Sequence, residues 1–366
     1  MTYNIFFCVF ILFSIFTYMM LLNGKISVKH KRLLLLIFVV SSSFFVSFKP
    51  MEVKDTARYL EVFGSNHSLQ YIINNYDVRY GNRYMGLDIG FVLYMFFIKG
   101  LGITFRGFVF VNSIISLTIF IVGINSLCNE IKTKVNVDIL RVAMLFMIMY
   151  GFHYSAIVLR GGLSIGLGIC AVAESMKKKK KLWLIILLLA LSMSVQSMGL
   201  LNIIPVFICM RDIRISRKNA MIVLTFVFVW FLFNIGSIVT PVIAQLLLRF
   251  LSWSPLVGFS TKVNDADYRV GLRDWLMWII SVILIYFSED KNNRKMNLKM
   301  SMTCGMVLLC FGYPFRAFSR VVDYLFVYSV PVIYVNMEEH KRNSVTRYAA
   351  LLATLGMIAI QVVAIY

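Results

Sequence analysis

The sequence predicts an all-α polytopic integral membrane protein, and three observations carry that prediction. The chain has 366 residues, 60% of them hydrophobic, with a mean hydropathy of +0.79; an ordinary soluble domain is about 45–50% apolar. Apolar stretches near the roughly 20 residues that span a bilayer recur along the whole length. Basic clusters separate them, as they do where Lys and Arg are retained on the cytoplasmic side. The alternating pattern of an outer-membrane barrel is missing.

The expected elements number about 12–13 apolar segments. They run roughly over 3–22, 33–49, 88–104, 107–127, 139–154, 156–176, 182–197, 198–210, 219–238, 274–288, 300–314, 322–337 and 348–365. The first lacks a basic n-region and a small-residue cleavage site, so it reads as a retained helix. Segment 182–210 reads as a tight hairpin around Gln196. The apolar stretches recur along the whole length, so 1–366 is taken as a single transmembrane domain, and no internal repeat supports an inverted-repeat transporter.

Loop charge orients the chain. Lys177 to Lys181 is the strongest cytoplasmic marker, supported by Lys25, Lys29, Lys31 and Arg32, by Arg211, Arg214, Arg217 and Lys218, by Lys291, Arg294, Lys295 and Lys299, and by Lys341, Arg342 and Arg347. Segments 50–87 and 239–273 then fall outside, as external loops that contribute to a cavity. An odd number of crossings must separate 50–87 from the Lys177 run, yet four apolar segments lie between them. The short 88–104, interrupted by Asp88, Gly90, Lys99, Gly100 and Gly102, is expected to be re-entrant or not a full crossing.

Net charge is +20, from 37 Lys plus Arg against 17 Asp plus Glu. Basic cytoplasmic loops account for most of it, and no nucleic-acid partner is expected. The six cysteines lie in or beside apolar segments without a CxxC pair, and the four histidines are scattered. No metal or cofactor site is read from them.

Arg160 stands in an otherwise uncharged run, 142–173. A guanidinium near hydrocarbon costs at least about 2.5–3.5 kcal/mol on insertion scales. It cannot shed its proton, and its planar fork suits phosphate. Snorkelling to the outer interface is the competing account. Gly161, Gly162, Gly166 and Gly168 follow, and the Gly162-xxx-Gly166 spacing admits a close helix.

Segment 50–87 is rich in Tyr, Arg and Asp, which stack on sugars and bind hydroxyls and phosphates. An interfacial aromatic belt is the bland alternative. Its compact part is Asp55, Arg58 and Tyr59, which would share a helical face. Arg316 and Arg320, at i, i+4, repel unless they share an anion, although Asp323 could neutralise Arg320. In segment 239–273, Pro241 to Trp253 reads as an interfacial amphipathic helix. The polar remainder, with Arg273, reads as a lid.

Three stretches together resemble the EpsG-like and Wzy-like polysaccharide polymerases of O-antigen, capsule and exopolysaccharide assembly. One is Asp55 to Tyr59, followed by Asp88-Ile89-Gly90-Phe91; another is Leu159 to Leu163 before a basic loop; the third is Arg320 to Tyr324, with Pro331 in the following helix. Two positions depart from the family pattern. Gln196 stands where a His is usual, and Gly161 where Gln or Asn follows the intramembrane Arg.

The resemblance implies an enzyme of the bacterial cytoplasmic (inner) membrane, multi-pass and without a cofactor. It transfers a growing glycan from undecaprenyl pyrophosphate onto a lipid-linked repeat unit at the external face. Arg160, Asp55 and Arg320 are the expected catalytic residues; Arg58, Tyr59, Arg316, Tyr324, Gln196 and Arg273 are the expected substrate contacts. The implied partners are the undecaprenyl-pyrophosphate-linked oligosaccharide, membrane lipid, a chain-length regulator and a flippase. Two alternatives stay open: a lipid-linked oligosaccharide flippase, and a polyprenyl-phosphate-dependent membrane glycosyltransferase.

Overall fold

The structure, a computed structural model, describes residues 27–51, 54–75, 83–84, 87–132, 136–151, 153–250, 270–287, 292–312, 322–340 and 344–365. The first apolar run, residues 251–269 of the second external loop, and Arg316 and Arg320 lie outside the described residues. Two compact units are present. One comprises Met1–Tyr76, Tyr84–Asn129 and Asn136–Leu200; the other comprises Asp77–Arg83, Glu130–Val135 and Leu201–Tyr366.

The first unit holds α1 (Val28–Ser47), α2 (Lys54–Gly64), α3 (Leu69–Asn74), α4 (Ile89–Gly100), α5 (Phe105–Ile131), α6 (Ile139–Phe146), α7 (Leu159–Met176) and α8 (Leu182–Val195). The strand Leu87–Asp88 leads into α4, and two π-helical turns, Met147–Gly151 and His153–Ile157, join α6 to α7. Short polar side chains start several helices by satisfying first-turn N–H groups. Ser27 caps α1 and Ser68 caps α3. Asp138 caps α6, accepting from Leu140 N at 3.2 Å, and also pairs with Lys31 of α1. Phe63, Phe91, Tyr94, Phe105 and Phe108 form an aromatic core in which rings meet at 5.5–6.2 Å. Helices α7 and α8 are laced by Ser164 and Ser192, whose hydroxyls lie 2.9 Å apart and reach each other's backbone carbonyls.

The second unit holds α9 (Ile203–Met210), α10 (Arg217–Leu232), α11 (Gly236–Phe250), α12 (Leu272–Phe287), α13 (Asn293–Gly312), α14 (Ser329–Glu339) and α15 (Val345–Ile365). Trp278 donates to Leu224 O and Trp230 to Cys310 O, each at 2.8 Å, fastening α10 to α12 and α13. Gly356 of α15 lets Ile280 of α12 approach to within 2.9 Å of where a Cβ would stand. Of the basic cluster expected to mark the cytoplasmic side, Arg294, Lys295 and Lys299 lie in α13, where Lys295 and Lys299 are buried.

Among the described residues, two helices are long and apolar enough to cross a membrane, Lys29–Ser47 and Phe105–Ile131. Arg217–Leu232 and Gly236–Val242 make a third only if counted together, and they are bent by 92°. The bend has a local cause. Asn234 takes φ +50°, and Ile235 N bonds back to Trp230 O at 3.0 Å, closing α10 with a left-handed residue. The break spans residues 233–235, so the helix expected from Pro241 instead begins at Gly236 and carries Pro241 inside it. Helix α4 has 12 residues, about 18 Å, which is too short to cross alone. The segment expected as a hairpin around Gln196 is α8, an extended Gln196, a 3₁₀ turn over Ser197–Asn202, and α9.

Candidate functional site

Arg160 lies in the first turn of α7. The π turn before it ends with Val158 N bonded to His153 O at 3.0 Å, and Val158 supplies no side-chain cap. Leading N–H groups of α7 therefore present partial positive charge beside the guanidinium. Inserted π turns of this kind recur at functional sites.

The carboxylate that answers this charge comes from 72 residues upstream. Asp88 Oδ2 accepts from Arg160 Nη1 at 2.8 Å. The other oxygen, Oδ1, accepts from the backbone N–H of Ser197 at 3.2 Å. Asp88 is 3% exposed, while the Arg160 side chain keeps 19% of its surface. The pair thus ties the start of α4, the start of α7 and the turn after α8 into one knot. Glycines make the approach tight enough. A Cβ on Gly90 would stand 2.6 Å from the Ser194 carbonyl oxygen, and one on Gly162 would clash with that of Tyr154. Gly162 therefore accommodates the preceding π turn rather than another helix, while Gly166 faces Ile119 of α5. Gly161, Gly162 and Gly166 each meet neighbouring atoms where a Cβ would stand.

Gln196 joins the same knot: a methyl on Gly161 would meet its Oε1 at 3.0 Å. The two positions that depart from the family pattern, 161 and 196, thus lie against each other.

The remaining candidates fall elsewhere. Asp55 is in the first turn of α2, where its charge suits the helix N-terminus. Arg58 is exposed. Tyr59 does not share that exposure: it is 1% exposed and packs on Phe91 with centroids 5.3 Å apart. In the second unit, Arg273 pairs with Asp323, so Asp323 neutralises Arg273. Tyr324 beside it is buried. Asp88 and Ser197 were missing from the sequence-derived candidates, although Asp88 stood in a recognised motif. A carboxylate at the edge of an apolar segment was itself the available signal, since such a group needs a partner. Among the described residues, no three His, Cys, Asp or Glu side chains group to hold a metal ion.

Apolar helices with a desolvated arginine–carboxylate knot define the class: a helical membrane protein with a charged site. The chain belongs to the EpsG family, whose model matches residues 32–366, nearly the whole length. This is a family of Wzy-like polysaccharide polymerases. Curated proteins and solved structures yield no match.

Proposed function

We propose that the protein polymerises a polysaccharide at the external face of the bacterial inner membrane. It would transfer a growing glycan from undecaprenyl pyrophosphate to the sugar end of a lipid-linked repeat unit. The observation that carries the reading is the Arg160 guanidinium held, partly exposed, at the start of α7. In the reaction, the anomeric C–O bond to the pyrophosphate breaks and its electron pair leaves with the pyrophosphate. A new glycosidic bond forms to an acceptor hydroxyl, which loses its proton. Fixed cations in a low-dielectric site stabilise the charge on the leaving group.

Arg160 takes that role in this reading, with Gln196 beside it as a donor or acceptor to the substrate. Asp55 orients or deprotonates the acceptor hydroxyl, Arg58 contacts the glycan, and Tyr59 anchors the helix that carries them. Arg273, Arg316 and Arg320 serve as further contacts for the diphosphate or the sugars, while Tyr324, like Tyr59, packs inward. A flippase delivers the repeat units, and a chain-length regulator acts on the product.

Replacing Arg160 with Ala should leave the protein inserted and abundant while reducing surface glycan to single repeats on a gel. Full-length chains in the Arg160→Ala strain would remove Arg160 from the mechanism. Repeat units trapped on the cytoplasmic leaflet of a deletion strain would point to a flippase instead.

A further inference from the structure

We propose that Asp88 is a positioning residue, holding the Arg160 guanidinium in the orientation that meets the departing pyrophosphate; this rests on the polymerase reading above. Both Asp88 oxygens are engaged, one by Arg160 Nη1 at 2.8 Å and the other by Ser197 N–H at 3.2 Å. Asp88 is almost wholly buried, and the Cβ-free approach of Gly90 to Ser194 packs the backbone that follows it. An oxygen held this way is an anchor, not an anion that a substrate displaces.

The guanidinium presents five donors in a planar fork. The bond from Nη1 to a fixed carboxylate restrains that fork while part of the side chain remains exposed. Orientation of this kind matters because a misplacement of about 1 Å can cost roughly 100-fold in rate. Asp88 also subtracts from the local positive charge. Its loss should therefore leave ground-state binding of a diphosphate intact or stronger while damaging the chemistry. A residue needed only for folding would not separate those two effects.

The experiment compares Asp88→Asn, Ser197→Pro and Arg160→Ala in the full-length protein. Surface glycan length is read on gels, and binding of undecaprenyl pyrophosphate is measured on the purified proteins. Asp88→Asn keeps the shape of the side chain and removes its charge. It is expected to reach the membrane at wild-type levels, to bind undecaprenyl pyrophosphate as tightly as wild type or up to about tenfold more tightly, and to lower the yield of long chains on the order of 100-fold.

Ser197→Pro deletes the N–H that holds Asp88 Oδ1 together with the serine hydroxyl, and Ser197→Ala, which removes the hydroxyl alone, is its control. Proline suits the first position of a helical turn, and the extended Gln196 before it (φ −151°, ψ 125°) suits a residue that precedes proline. Its chains should shorten in the same direction, by less. If Arg160→Ala gives single repeats while Asp88→Asn and Ser197→Pro make chains of wild-type length, the proposal fails and the polymerase reading stands. If Asp88→Asn loses binding together with long chains, Asp88 is a ligand contact and the proposal also fails. Should Asp88→Asn not reach the membrane, Ser197→Pro decides alone, and wild-type chains there overturn it. Long chains in Arg160→Ala would sink the polymerase reading itself.

Discussion

Lys49 shows how far a single residue can depart from its sequence neighbourhood. It sits just past the end of α1 and is fully buried. Burial pulls its ammonium down from the ordinary 10.5 to about 7, and the nearby Asp55 carboxylate works against that drop. Between those two values the unfolded chain holds a proton that the folded protein has released, so stability rises with pH across the window. Below pH 7 both forms are charged, and the cost of burying the charge, on the order of a few kcal/mol, is fully present. Lys49→Met should therefore raise the unfolding temperature of the purified protein most below pH 7, with the gain shrinking as pH approaches 10.5. A gain of equal size at every pH would mean that Lys49 is not held neutral. Asp55→Asn, which removes the opposing carboxylate, should push the Lys49 transition lower still.

Helix ends, more than helix interiors, shape the candidate site at the element scale. The start of α7 is displaced by two π turns, the start of α4 supplies Asp88, and the end of α8 supplies Gln196 and the Ser197 N–H. Glycines are placed where those ends meet backbone. Gly162→Ala would drive a methyl into the Tyr154 carbonyl oxygen, which cannot yield without unwinding the π turn. It should cost about 1–3 kcal/mol or more, read as a lower unfolding temperature or loss of inserted protein. Gly64, the last residue of α2, has open space where its Cβ would stand. Gly64→Ala should be tolerated, and equal damage from the two substitutions would refute the packing account. The Gly162-xxx-Gly166 spacing was legible in the sequence as a place of close approach. What approaches was not, because a π turn leaves no hydropathy signature.

Orientation belongs to the whole molecule. With Lys177 to Lys181 in the cytoplasm and 50–87 outside, exposed residues in the two segments should label oppositely. In a cysteine-free background, Gln70→Cys should react with a membrane-impermeant maleimide on intact cells. Lys179→Cys should react only after permeabilisation. Both positions are exposed, so a shielded Gln70→Cys would reverse the orientation rather than reflect burial.

The amino-acid sequence alone determined the class of the protein. Hydropathy and charge are summed over local windows, and about 20 apolar residues in a row have few other uses. It also made Arg160 conspicuous, because a guanidinium in an apolar run carries a cost that composition reveals. Only tertiary structure decided what Arg160 answers to. The bond to Asp88 joins residues 72 positions apart, and Gln196 reaches Gly161 because α8 ends beside the start of α7. It also decided that Tyr59 packs inward and that Asp323 pairs with Arg273. Such pairings depend on which helix ends come together, a long-range property of packing that no local window of sequence contains.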